Sequence, residues 1–149
     1  MKKITYGLLI ALLAAGCAEP RRATVEGLVT LDGKPLAEVE VQFIPELGRT
    51  RSAVPASGYT DETGRYRIEA SGSSGVSVGP NRVCINDARL MMPAGGSDPN
   101  DGLPVSNRQT APRRSRVPDV YGDANRTPFR NMDIQPGRQT IDFPLKLRP

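Results

Sequence analysis

A chain of 149 residues with 20 Lys and Arg, 16 Asp and Glu and no histidine carries a formal charge of +4. The lack of histidine excludes His-based triads, His-containing zinc sites and the commonest general base together. Lys2 and Lys3 lie in a segment that reads as a removable export signal, which leaves 18 basic against 16 acidic residues. A balance this close to neutral, in an exported chain, argues against a nucleic-acid partner.

The chain opens Met1-Lys2-Lys3, continues with an apolar run from Ile4 to Ala15, and ends that run with Gly16-Cys17. This charged, apolar, small-residue order is that of a signal peptide over 1–16. The run falls short of the ~20 apolar residues that a helix needs to cross a bilayer, so no permanent span is expected.

Leu13-Ala14-Ala15-Gly16-Cys17 resembles the lipobox of bacterial lipoproteins, in which a diacylglycerol is attached to the cysteine before cleavage. The resemblance makes Cys17 the lipid attachment site. Ala14 stands where a large aliphatic residue is usual, and a plain secretory cut after Gly16 is the alternative. The expected location is a cell membrane, facing the periplasm or the surface. Ala18, rather than an aspartate, favours the outer membrane. Residues 17–23, with Pro20, Arg21 and Arg22, read as a tether. With Cys17 acylated, only Cys84 remains, so no intramolecular disulfide can form and Cys84 is expected as a small buried residue of a strand.

From Thr24 onward, short alternating segments are separated by Gly, Pro, Asp and Asn, without helical periodicity. A first strand is expected at Thr24 to Leu31, with Val25, Gly27, Val29 and Leu31 on one face, followed by a turn at Asp32-Gly33-Lys34-Pro35. A second runs from Val39 to Ile44, with Val39, Val41 and Phe43 inward and Glu40 and Gln42 outward. Ser57 to Thr60 and Arg65 to Ala70 flank Asp61-Glu62-Thr63-Gly64 and are expected to pair as a hairpin, with Tyr66, Ile68 and Ala70 facing the core. Asn81 to Asn86 forms the next strand.

Residues 87–116 lose periodicity and fill with Pro, Gly, Asp, Asn and Arg, which predicts a disordered loop. Order is expected to return at Val117, with an irregular extended segment from Phe129 to Ile134. A last strand places Ile141, Phe143, Leu145 and Leu147 on one face, and Pro144 requires an edge position or a bulge. About seven short strands in residues 24–149 predict an all-β domain, an antiparallel two-sheet sandwich of immunoglobulin-like kind.

Three blocks carry a family resemblance: Val25 to Leu36, Val39 to Pro45, and Thr60-Asp61-Glu62-Thr63-Gly64-Arg65-Tyr66. Together they resemble the carboxypeptidase regulatory-like domains, whose sandwich is transthyretin-like. Pro118, Tyr121, Thr127-Pro128, Pro136-Gly137 and Thr140 to Leu147 are similar to small lipoproteins of planctomycete type. The resemblance implies an accessory or binding role and brings no catalytic residues and no cofactor.

Asp98-Pro99-Asn100-Asp101-Gly102 offers oxygen ligands but lacks the further carboxylates of a Ca²⁺ loop, so no metal site is expected. Arg108, Arg113, Arg114 and Arg116 form a basic cluster that could contact anionic headgroups or acidic polysaccharide. The bland reading of both is a solvated loop. The expected function is therefore that of a non-enzymatic envelope lipoprotein, whose sandwich is a structural or protein-binding module. The alternative is a carbohydrate-binding module, for which Tyr59, Tyr66 and Tyr121 are the stacking candidates after export.

Overall fold

The computed structural model describes residues 21–46, 54–91 and 114–148. They form an all-β sandwich of two sheets, as alternation in the sequence requires. The first sheet is built around the ten-residue strand β1 (Arg22–Leu31), and the second is ordered β4 (Ala56–Tyr59), β3 (Val39–Pro45), β7 (Gly79–Asp87), β8 (Met132–Ile134).

One edge of β1 is covered by three antiparallel partners in succession. These are β6 (Val76–Ser77), β5 (Arg65–Ile68) and β2 (Lys34–Pro35). The connection from β1 to β2 is a two-residue reversal in which Asp32 and Gly33 both have positive φ, 47° and 82°. That geometry suits the twist of a tight hairpin and explains the Asp-Gly pair. Along the other edge run β9 (Gly137–Thr140) and β10 (Phe143–Leu145), both parallel to β1 and in one continuous register.

The core between the sheets contains Val25, Val29, Val39, Val41, Phe43, Val83, Ile85, Ile134, Phe143 and Leu145, all of them buried. These are the period-two positions of their strands. Phe143 sits at the centre of an aromatic cluster, with ring centroids 6.2 Å from Phe43, 5.9 Å from Tyr66 and 4.9 Å from Phe129.

The arms expected to form a hairpin around Asp61–Gly64 do not pair with each other. β4 pairs with β3 in one sheet, and β5 pairs with β1 in the other. The Asp-x-x-Gly signature dictates reversal of the chain, and the Asp61 carboxylate duly accepts from Thr63 N, Thr63 Oγ1 and Arg65 N. Which strand each arm then joins depends on longer partners elsewhere. The result is an arch that crosses the sandwich, with Gly58 against Ile68 and the Arg67 carbonyl. Ala70 lies past the end of β5 and is exposed.

Four further expectations are adjusted. Glu40 is only 9% exposed, because β3 is an inner strand and Tyr59 and Asn86 flank Glu40 on the two neighbouring strands. Residues 119–122 form a helical turn, α1 (Asp119–Gly122). The irregularity expected between Phe129 and Ile134 is a break at Asn131, where φ is 53°, ahead of β8. The last strand is interrupted at Ile141 and Asp142, and Leu147 lies beyond it, exposed.

The segment from Val117 to Phe129 closes the side of the sandwich where β8 stops pairing with β7. Val83 N donates to the Phe129 carbonyl at 2.8 Å, and Thr127 Oγ1 donates to the Val83 carbonyl at 2.7 Å, replacing a missing strand. Tyr121 stacks on Phe129 at 5.7 Å, and its hydroxyl accepts from Lys146 N beyond β10. Pro144 sits in β10, whose outer edge pairs with no strand among the described residues, and the carbonyl of the next residue, Leu145, points at β1, where it accepts from Asp32 N. By alternation residue 144 directs its backbone nitrogen outward, where the missing N–H costs no ladder bond.

Candidate functional site

Of the residues singled out in the sequence, Cys17, Arg108 and Arg113 lie outside the described residues, as does the stretch 98–102. Arg114 is exposed. Arg116 is tied into the fold. Its guanidinium binds Asp87 through Nη2 to Oδ1 at 2.8 Å and Nε to Oδ2 at 3.0 Å, and its backbone N–H reaches Oδ2 at 3.0 Å. Nη2 also donates to the Ala37 carbonyl at 2.9 Å. Arg89 approaches the same carboxylate from the other side at 3.2 Å.

The Asp87 side chain is fully enclosed. Burial by itself would raise its pKa, but the hydrogen bonds from Arg116 and Arg89 outweigh this and hold the carboxyl well below the usual range. Arg116 is pushed up in turn, chiefly by Asp87. Asp87 closes β7, and Ala88–Leu90 continues as one 3₁₀ turn capped by the Asp87 side chain. The disorder expected over 87–116 is therefore corrected at both ends: Asp87 to Leu90 and Arg116 belong to the fold, joined by the Asp87–Arg116 pair, and residues 92–113 lie outside the described residues. Alternation does not reveal this, since in the sequence Asp87 reads as the first residue of the loop that follows the strand.

A second constellation joins β1 to the C-terminal strand. The Ile141 carbonyl turns out of the ladder and lies over Gly27, where a Cβ would sit 1.8 Å from that oxygen. The Tyr66 hydroxyl donates to this carbonyl at 2.8 Å. Leu28 N–H, deprived of its ladder partner, donates to Asp142 Oδ1 at 2.8 Å. Burial, together with the nearby Asp142 charge, pushes the Tyr66 phenol far up, so it remains a donor at every physiological pH. Cys84 is buried as expected, and desolvation raises its thiol pKa.

Beside this seam lies an open groove of about 530 Å³, lined by Glu26, Gly27, Tyr59, Asp61, Arg65, Tyr66, Arg67 and Thr140. Arg67, Glu26 and Thr140 stand in one row across β5, β1 and β9. Tyr59, on β4, is 58% exposed. Tyr66 and Tyr121 are buried and Phe129 is partly buried, so among the described residues Tyr59 is the one aromatic side chain that is largely exposed. Two carboxylates face two guanidiniums here, with Arg67 bound to Glu69 at 2.7 Å and beside Glu26 at 3.8 Å.

The groove can accept and donate hydrogen bonds around an aromatic surface. Among the described residues, no three Cys, Asp or Glu side chains converge as a metal site, and no helix is long and apolar enough to cross a membrane. No protein-family model, no curated protein and no solved structure matches this chain.

Proposed function

We propose that the chain is a non-catalytic envelope lipoprotein, anchored through Cys17, whose β-sandwich serves as a structural or protein-binding module. The observation that carries this reading is how the buried polar side chains are used. Asp87, Thr60, Thr127 and Tyr66 each bond across elements that are distant in sequence. Asp87 and Tyr66, of the kinds that can perform acid–base chemistry, are thereby committed to holding the fold, in keeping with a scaffold. The lipobox-like Leu13 to Cys17 supports the anchor, and the tether expected over 17–23 is shorter than that, because β1 begins at Arg22 and Ala23 is buried in the core.

The anchor is tested by labelling cells with a palmitate analogue and fractionating them, for the natural chain and for Cys17→Ser. Label and membrane association are both expected to vanish in the variant. Persistence of both in Cys17→Ser would overturn the anchor. A second reading, a carbohydrate-binding module, is favoured by one observation, the exposure of Tyr59 on a polar groove.

A further inference from the structure

Resting on that second reading, we infer that the groove between β4 and β5 is a binding site for a neutral saccharide chain, with Tyr59 as its stacking platform. Large aromatic side chains on small domains are ordinarily turned inward, and Phe43, Tyr66, Tyr121 and Phe143 are buried here. Tyr59 is held outward at the end of an edge strand. The weakly positive C–H face of a pyranose complements the electron-rich face of a phenol ring.

The polar lining fits the same class of ligand. Among the lining side chains Glu26 and Asp61 balance Arg65 and Arg67, and Glu69 binds Arg67 beside them, so the groove offers no excess of positive charge to hold a polyanion. Carboxylates accept and guanidiniums donate, while the Thr140 hydroxyl does both, which matches sugar hydroxyls that also donate and accept. The volume falls in the usual range for ligand sites, and the groove is open enough for a chain to lie along it.

The backbone of one wall is fixed by the fold itself. Asp61 is locked by three hydrogen bonds within its turn, and Gly58 allows β4 to sit directly against β5. Preorganisation of this kind lowers the entropic cost of binding.

The test titrates the full-length chain, purified in detergent, with cellohexaose, chitohexaose, mannohexaose and an oligogalacturonate, read by amide chemical shifts. Shifts confined to Tyr59, Arg65, Arg67, Glu26 and Thr140 with at least one neutral probe are expected. Tyr59→Ala should weaken that binding about tenfold while leaving the rest of the spectrum unchanged. Thr140→Val, also at an exposed position, removes one hydroxyl without touching Tyr59 and should weaken it about threefold.

Shifts with the oligogalacturonate alone would overturn the neutral class. Shifts elsewhere on the surface, insensitive to Tyr59→Ala, would overturn this site and leave the carbohydrate-module reading standing. No shift with any probe at millimolar concentration would overturn both.

Discussion

Two places in this molecule join segments far apart in sequence, and they do so by opposite physics. At the seam between β1 and the C-terminal strand the contact is set by shape: a carbonyl fits where Gly27 has no side chain, and Tyr66 and Asp142 take up the displaced bonds. At the clasp between Asp87 and Arg116 the contact is ionic, with an enclosed carboxylate gripped by two guanidiniums. A contact made by exclusion of atoms is indifferent to pH and salt. One made by charge depends on the carboxyl staying ionised.

The sharpest way to break the seam is Gly27→Ala. Its methyl group would collide with backbone that cannot move without unzipping the strand, so a loss of about 3 kcal/mol is expected, constant between pH 3 and 7 in denaturant titrations. A loss below about 1 kcal/mol would show that the C-terminal strand yields easily.

Asp87→Asn should cost about 2 kcal/mol at neutral pH, because Arg116 loses its charge partner in a largely buried setting. Asp87 has a depressed pKa when folded, so its contribution is complete above the ordinary aspartate value of about 3.9 and is lost as pH falls toward the folded value. The difference between the natural chain and Asp87→Asn should therefore shrink below about pH 4, whereas the Gly27→Ala difference should not. A pH-independent gap for Asp87→Asn would mean that hydrogen-bond geometry, rather than charge, holds the clasp.

The smallest expected effect sharpens the seam. Tyr66→Phe keeps the ring in the aromatic cluster and removes one hydrogen bond, leaving the Ile141 carbonyl without its donor, for a loss of about 1 kcal/mol. A neutral result would assign the seam wholly to Gly27 and to the Asp142 bond.

The parts of the molecule legible in advance are those that depend on local repetition. Alternation in Val39 to Phe43 and in Tyr66 and Ile68 identifies strands and their inward faces, because a pleated chain turns each successive side chain to the opposite side. Asp-Gly at 32–33 and Asp61 to Gly64 announce reversals for equally local reasons. The basic cluster is where such reading falls short. Arg116 has the same appearance in sequence as Arg114, yet one is clasped by Asp87 and the other is exposed. Tyr59 and Tyr121 are likewise equal as stacking candidates in the sequence, although one lines a groove with its ring exposed and the other is buried.

The sequence by itself determined an all-β chain, the positions of most strands and their buried faces, and narrowed Pro144 to an edge position or a bulge. Only the tertiary structure decided that the arms around Asp61 belong to different sheets, that β1 lies parallel to the C-terminal strand, and that Asp87 meets Arg116. The reason is that pleat and turn are properties of neighbouring residues, whereas partner choice compares contacts between segments far apart along the chain. Gly27 shows the limit most plainly: its neighbours mark it as an inward position of a strand, and only the Ile141 carbonyl explains why no side chain can occupy it.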